Sequence, residues 1–352
     1  PVSDTAAAAQ AQAGLSEWIA LKQALDNPIY YNIAATDGSQ VKAFDGNSGD
    51  LLWTYGLAQG GPVRLAGGGL LPALLVASEK AGLLALDQST GLPLWQRPDL
   101  KPAAKAQPVV GDLAGLGELS AAIALAGGGT ICVRLADGAG IWRAAPTLQN
   151  PVFEPGRSVT DYLMAGYDPA LKALVGLRTG DGSLAWTTPV GAEVVGLSAG
   201  DIDYDGATEL VASLATKASG LLCCDLWSGA IKYQVTPPAV PTSPAILGNL
   251  DYDSKVEALV NTQSGLAACY LPSGILAWQL WVGGDALAPA IGEFDSDGLT
   301  DILALGPPDG LFWLKASPSP RVYLWACARG DAFNSGNVMW AMAYGERLIE
   351  AR

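Results

Sequence analysis

One pattern recurs along this chain at a nearly constant interval: an aspartate, a serine or threonine three residues on, a glycine, and then an aromatic residue four further on. Asp45 to Gly49 leads to Trp53, and Asp87 to Gly91 leads to Trp95. Gly138 precedes Trp142, Gly182 precedes Trp186, Asp225 and Gly229 precede Tyr233, and Gly274 precedes Trp278. A degraded seventh copy ends at Trp325, with Arg321 where glycine stands elsewhere. Successive aromatic positions lie 42 to 47 residues apart. The turn has a simple physical reading. A short strand must reverse within a few residues, glycine accepts the positive φ that such a reversal needs, and aspartate bonds back to the turn amides. The aromatic is then free to cover the junction with a neighbouring sheet.

Each copy also carries two earlier apolar stretches. Examples are Gln107–Val110 with Ser120–Leu125, Val194–Leu197 with Glu209–Ser213, Ser243–Leu247 with Val256–Val260, and Ala288–Ile291 with Asp301–Leu305. Four short strands in every 40 to 50 residues, in step with a turn motif, are the signature of a β-propeller blade. The expected fold is therefore all-β, a seven-bladed β-propeller of four-stranded antiparallel blades. The blades are placed near residues 29–56, 61–98, 107–145, 151–188, 192–235, 242–281 and 286–326. Eight blades is the alternative count, if the termini contribute another. The fourth blade reads as the least regular, with Tyr167 to Ala170 as a turn displacing the usual pattern.

Residues 1–27 are expected to form an N-terminal helix, or the remnant of a stalk. Asp4 can cap its start, the Ala/Gln run favours helix, and Asp26-Asn27-Pro28 stops it. The propeller is assigned to residues 28–336. Blade 1 lacks an opening strand, so the tail 337–352, which contains Val338–Met342 and Arg347–Ile349, is expected to pair with blade 1 and close the ring, because an open sheet edge invites aggregation.

Composition narrows the chemistry. The 352 residues include no histidine, which removes the commonest general base and the usual zinc ligand. A net charge of −14 makes nucleic acid a poor partner. Five cysteines, an odd number without metal-type spacing, argue against a full disulfide framework and for small core residues. No run is long and apolar enough to span a bilayer, so membrane attachment is expected only through an anchor missing from the start of the sequence.

Three loops carry oxygen donors at every second position. Asp201, Asp203, Asp205 and Glu209 alternate around Gly206, with Ala207 offering a backbone carbonyl. Asn249, Asp251, Asp253 and Glu257 repeat the spacing, with Ser254 in place of the glycine and Lys255 at the carbonyl position. Glu293, Asp295, Asp297 and Asp301 repeat it again, with Gly298 kept and Leu299 at the carbonyl position. Alternating oxygens around a tight turn suit calcium, a hard cation that takes six to eight oxygens in flexible geometry, better than magnesium with its tighter octahedron. One to three structural calcium ions are expected. The loop Asp112–Glu118 keeps the glycines but has lost the oxygens, and should bind nothing.

The segments Gly200–Val211 and Gly292–Leu303 resemble FG-GAP (VCBS-type) calcium repeats, as in integrin α-chain propellers and bacterial surface proteins. Leu83–Trp95 and Val41–Trp53 resemble the PQQ-like propeller repeat, found in quinoprotein dehydrogenases and in outer-membrane assembly lipoproteins of the BamB kind. Trp325–Gly336 is similar to a closing segment of bacterial members of this mixed group. Together these resemblances cover most of residues 33 to 336. They imply the propeller fold and calcium, while a fold of this kind hosts many functions. Quinoproteins often place a disulfide between adjacent cysteines beside the cofactor. Cys223 and Cys224 are adjacent, but they sit inside an apolar strand and read as core. Cys224 and Cys269 share a repeat position, which leaves a disulfide conceivable without indicating one. Arg329-Gly330-Asp331 is read as part of the closing segment rather than as an adhesion tripeptide.

The first functional expectation is an extracytoplasmic, calcium-stabilised binding, adhesion or surface-assembly module, a filament subunit being one form of it. Its partners would be a protein, a cell-surface glycan or further copies of itself, in the periplasm, at the cell surface or outside the cell. No catalytic residue is assigned. The alternatives are a carbohydrate-active or degenerate quinoprotein enzyme, for which Glu154, Asp161 and Asp168 would be cleft candidates, and an envelope protein assembly factor.

Overall fold

The computed structural model describes residues 33–325, apart from short stretches at 46–47, 68–72, 105, 156–161, 251–254, 272, 283–287, 293–299, 307–309 and 316–322. These residues form seven antiparallel sheets, the blades of a propeller. Blade 1 contains β1 (Ile33–Thr36), β2 (Gln40–Phe44) and β3 (Leu51–Gly56). Blade 2 contains β4 (Val63–Ala66), β5 (Ala73–Ser78), β6 (Gly82–Asp87) and β7 (Pro93–Arg97), and blade 3 β8 (Val109–Gly111), β9 (Ser120–Ala124), β10 (Thr130–Arg134) and β11 (Gly140–Ala144). Blade 4 contains β12 (Gln149–Glu154), β13 (Leu163–Asp168), β14 (Ala173–Arg178) and β15 (Leu184–Pro189). Blade 5 contains β16 (Val194–Gly200), β17 (Glu209–Leu214), β18 (Leu221–Asp225) and β19 (Ile231–Val235). Blade 6 follows with β20 (Ile246–Gly248), β21 (Val256–Thr262), β22 (Gly265–Leu271) and β23 (Leu276–Leu280), and blade 7 with β24 (Ala290–Gly292), β25 (Asp301–Gly306) and β26 (Gly310–Lys315). The first strands of blades 3 to 7 lie against one another in succession, so they are the inner strands of the ring.

The aromatic repeat takes the same place in six sheets. Trp53 pairs with Ala43, Trp95 with Ala85, Trp142 with Cys132, Trp186 with Gly176, Tyr233 with Cys223 and Trp278 with Ala268. A small residue therefore faces every aromatic, and in each sheet the register slips immediately after that pair. The bulge turns the ring toward the next blade. Four indoles donate into that blade's outer turn: Trp53 to Gln88 O (2.8 Å), Trp95 to Leu135 O (2.6 Å), Trp142 to Thr179 O (2.5 Å) and Trp186 to Leu226 O (3.0 Å). The turn glycine makes room for the ring. A Cβ at Gly182 would lie 2.7 Å from the Trp142 ring, at a φ of +73°.

The middle strands are buried on both faces, which is why they read as unbroken apolar runs rather than as alternation. Neighbouring residues of one strand serve different interfaces. Phe153 and Met164 pack toward blade 3, with Trp142 and Cys132, whereas Val152 and Ala165 pack toward blade 5, with Leu197 and Leu210. Burial of each large aliphatic side chain contributes about 1.5–3 kcal/mol. Cys132, Cys223, Cys224 and Cys269 are buried and free. Burial pushes the Cys132 and Cys224 thiols up to about 12 and that of Cys269 to about 11, so all three are inert core groups.

Two expectations are corrected. Blade 4 is a regular four-stranded sheet: Tyr167 and Asp168 end β13, and the turn that follows stands where the other blades turn between their second and third strands. Asp168 caps it, accepting from the amides of Ala170 (2.8 Å) and Leu171 (3.1 Å). Trp325 is not the outer-strand aromatic of blade 7. It belongs to β27 (Tyr323–Trp325), which pairs antiparallel with β20, the inner strand of blade 6, and lies beside β16. The sheet of blade 6 thus gains a fifth strand; blades 2 to 5 have the expected four, and blades 1 and 7 show three each among the described residues. An inner strand offers a free edge toward the ring's axis, and in blade 6 β27 takes that edge. In blade 1, β2 and β3 match the third and outer strands of the other blades, so the inner strand is the one missing among the described residues. The expected N-terminal helix, the closing tail 337–352, Cys327 and Arg329–Asp331 lie outside the described residues.

Candidate metal centre

In blades 3, 5, 6 and 7 the inner strand ends on a glycine paired with a residue at the start of the second strand, its first residue or, in blade 6, its second: Gly111 with Ser120, Gly200 with Glu209, Gly248 with Glu257, and Gly292 with Asp301. The eight residues between are the acidic loops and their depleted copy.

The blade-5 loop is built from its first and last carboxylates. Asp201 accepts from the amides of Asp205 and Gly206, both at 3.0 Å. Glu209 Oε2 accepts from the amide of Ile202 at 2.8 Å, and the Ile202 side chain is buried in the core between blades. Asp205 Oδ1 accepts from Ala207 N at 2.8 Å. Tyr204 and Gly206 supply the left-handed backbone, with φ of 58° and 83°. The result gathers carboxylate oxygens of Asp201, Asp203 and Glu209 within 4.8 Å of one another.

Two side chains from β19 complete the cluster. The Lys232 ammonium donates to Glu209 Oε1 at 2.6 Å and to Asp203 Oδ2 and Asp205 Oδ2 at 3.2 Å each. The Tyr233 hydroxyl donates to Asp203 Oδ2 at 2.9 Å. Burial pushes the Glu209 carboxyl above its ordinary range, opposed by the bonds from Lys232 and the Ile202 amide. The bond to Glu209 holds Lys232 well above a free lysine. The Ala207 amide, then Lys232, lower Asp205. Burial and donation to Asp203 raise the Tyr233 phenol to about 12. The cluster holds four carboxylates, a phenol and one ammonium, and its oxygens from Asp201, Asp203 and Glu209 lie close enough to share one ion. That chemistry fits a hard cation once the ammonium has left.

The other loops are described in part. In blade 6, Asn249 and Glu257 are buried, and Glu257 Oε2 accepts from Leu250 N at 2.6 Å, matching the Ile202–Glu209 bond of blade 5. Lys255 reaches over the Tyr270 ring, 5.4 Å from its centre, and Asp251 and Asp253 lie outside the described residues. In blade 7, Asp301 is fully buried, accepts from the Trp313 indole at 2.9 Å and has Lys315 Nζ at 3.7 Å. Glu293, Asp295, Asp297 and Leu299 lie outside the described residues. Sequence reading missed Lys232. A signal was there: the residue just before the repeat aromatic is Leu52, Leu94, Ile141, Ala185 or Ala277 in the other copies, and only in blade 5 is it charged.

It also undervalued Glu154. This residue ends β12, in the place of the loop glycines, and accepts from Thr208 of the blade-5 loop, while its Oε2 is buried without a partner. Burial raises its carboxyl to about 8. Of the other two cleft candidates, Asp168 is a buried turn cap and Asp161 lies outside the described residues.

Residues 30–161 match the family described as outer membrane protein assembly factor BamB. No curated protein matches the chain. Among solved structures, BamB from Moraxella catarrhalis superimposes with a TM-score of 0.51 at 16% identity, over 81% of this chain and 86% of that one. BBS1N, solved in complex with ARL6DN, gives 0.55 at 13% identity, over 81% and 86%. The dihydro-heme d1 dehydrogenase NirN, in complex with DHE, gives 0.55 at 13% identity, over 84% and 65%. At such identities the likeness is one of fold, and it spans an assembly factor, a protein-bound module and an enzyme.

Proposed function

We propose that this chain is an extracytoplasmic β-propeller that serves as a binding, adhesion or surface-assembly module, with calcium held in its acidic loops. The observation that carries the binding role is apolar exposure on the outer strands. Leu51 and Leu52 on β3, Leu94 on β7, Leu184 on β15, Ile231 on β19 and Leu276 on β23 are all exposed, so five blades present aliphatic side chains at the rim. These positions follow the outer turns, at the end of the ring where the acidic loops lie. Repeated exposure of large aliphatic groups at one end of a monomer is a mark of an interaction surface. The partner is a protein, a surface glycan or a further copy of the chain. BBS1N, a similar fold, is bound to ARL6DN in its own structure, which supports a protein partner.

For calcium the support is the donor set of the blade-5 loop. Asp201, Asp203, Asp205, Glu209 and the Ala207 carbonyl would hold the ion, with Asn249, Asp251, Asp253, Lys255 and Glu257, and Glu293, Asp295, Asp297, Leu299 and Asp301, as the corresponding sets in blades 6 and 7. The ion would neutralise the carboxylates and tie each loop to its own blade. Calcium is abundant outside the cytoplasm, in keeping with the match to an outer-membrane assembly factor. The reading is non-catalytic: the chain has no histidine, and the acidic group among the described residues is already engaged by Lys232.

Sedimentation velocity tests the rim. The triple variant Leu94→Glu, Ile231→Glu, Leu276→Glu should abolish self-association or partner capture without changing the far-ultraviolet spectrum, and unchanged association would reject the rim as the surface. Chelator should lower the melting temperature, with Asp205→Ala reproducing part of the loss. An unchanged melt in excess chelator counts against calcium as a stabiliser. A second reading, an envelope assembly factor, rests on the match of residues 30–161 and predicts binding to outer-membrane proteins during their assembly.

A further inference from the structure

The Lys232 ammonium stands where a bound cation would stand. Its nitrogen lies 2.6 Å from Glu209 Oε1 and 3.2 Å from one oxygen each of Asp203 and Asp205. Calcium needs those same oxygens at about 2.3–2.6 Å. The ammonium already occupies oxygens of three of the carboxylates, and like charges repel, so the two cations cannot share them. We propose that Lys232 is the resident cation of the blade-5 loop, and that a divalent ion enters only by displacing it. The lysine then decides which ions bind and how tightly. This deepens the calcium reading above and rests on it.

Three further observations support the exchange. First, the lysine can leave. It projects from β19, an outer strand, and its side chain is 24% exposed, whereas Glu209 beneath it is 0% exposed. A long stem lets the head move to water while its methylenes stay on the sheet. Second, the lysine is particular to this loop among the outer-strand positions: blade 6 carries an acidic loop with Ala277 there, and blade 3 has neither the carboxylates nor the lysine. In blade 3 the loop has Ala114 and Leu116 where blade 5 has Asp203 and Asp205, and Ser120 where it has Glu209, and the residue before the aromatic there is Ile141. Third, the same pairing occurs in blade 7 by another route. Lys315 comes from β26 rather than from an outer strand, and reaches 3.7 Å from Asp301, the final carboxylate of that loop. A lysine beside the closing carboxylate thus arises twice from different strands.

The exchange has a selectivity built into it. A monovalent ion entering the cage replaces one unit of charge by another and must dehydrate as well. A divalent ion adds a charge to a cluster of four carboxylates and takes more oxygens than an ammonium can. The loop therefore stays folded and charge-paired without metal, and rising calcium would convert it into a metal site and release a lysine to the rim beside Ile231.

Calorimetric titration of calcium into the wild-type chain, Lys232→Met and Lys232→Arg, with melting curves in calcium and in chelator, tests this. Lys232→Met should bind calcium at least tenfold more tightly than wild type, and its melting temperature should become several degrees more sensitive to chelator. Lys232→Arg should stay as weak as wild type. Equal affinities in wild type and Lys232→Met would overturn the exchange and leave calcium binding intact. No binding by either protein would reject both the exchange and the calcium reading of this loop. If Lys232→Met unfolds in chelator, recovery on adding calcium supports the proposal and failure to recover overturns it. A readout on the unaltered chain is acetylation of Lys232 followed by mass spectrometry. Its reactivity should rise several-fold in millimolar calcium, whereas no rise would mean that the lysine stays in the cage.

Discussion

The first loops of blades 3 and 5 share one backbone and differ in charge. In each, the first aspartate accepts two amides, four and five residues on: Asp112 from Leu116 (2.9 Å) and Gly117 (2.8 Å), Asp201 from Asp205 and Gly206. In each, the last side chain accepts from the second amide: Ser120 from Leu113 (3.2 Å), Glu209 from Ile202 (2.8 Å). Left-handed residues stand at the fourth and sixth positions of both, Gly115 and Gly117 in one, Tyr204 and Gly206 in the other. Leu113 and Ile202 are both buried anchors. The shape of the loop therefore needs neither a cation nor more than one carboxylate. Asp203, Asp205 and Glu209 are additions to a loop that already folds, and they bring an obligation to be neutralised, which Lys232 meets.

The largest expected difference lies at the ninth position. Glu209→Ala removes a buried carboxylate that holds both an amide and Lys232, and should destabilise by about 3 kcal/mol or more. Ser120→Ala removes one neutral acceptor and should cost about 1 kcal/mol. Urea titrations measure both, and equal losses would mean that the Glu209–Lys232 pair contributes nothing beyond the loop bond. Next come the first aspartates. Asp112→Ala and Asp201→Ala should each cost about 1–2 kcal/mol, as for a lost helix cap, and should match within about 0.5 kcal/mol. A much larger loss at Asp201 would show that it is a member of the charged cluster first and a shaper of the loop second. Smaller still, Gly117→Ala and Gly206→Ala place a Cβ in open space at φ of +73° and +83°, so each should cost only the left-handed penalty of about 1 kcal/mol.

The last effect is a pH dependence that comes from Glu154 of β12, in blade 4, which accepts from Thr208 of the blade-5 loop. Its folded carboxyl titrates near 8 and an unfolded one near 4.5, so the folded state keeps a proton that the unfolded chain has already lost. Stability should therefore fall as pH rises from about 4.5 to 8. Glu154→Gln, neutral throughout, should lack that fall, and should raise the melting temperature at pH 8 more than at pH 5. Equal shifts at the two pH values would mean that the carboxylate is ionised in the fold.

Much of this could be read before any coordinates. The turn glycines, the apolar runs and the aromatic spacing placed the strands of blades 2, 3, 5 and 6 to within a few residues, because positive φ, hydrophobic burial and tight reversal are set by neighbours in the chain. The depleted loop at Asp112 was also legible, since Gly117 keeps the position of Gly206 and Gly298. Blade 4 was misjudged because Asp168-Pro169 reads as a break, whereas the aspartate caps an ordinary turn at the end of a full strand.

What the sequence alone determined is the repeating unit: where each sheet turns, which residues fill it, and that the blade-5 loop gathers carboxylate oxygens. Tertiary structure alone decided how the units are used. Lys232 reaches Glu209 because a bulge in β18 and β19 sets the register between residues far apart in the chain. Tyr323–Trp325 joins the inner edge of blade 6 because a main-chain edge accepts any strand that arrives in the right direction. Both outcomes depend on contacts between distant segments, and no local periodicity records them.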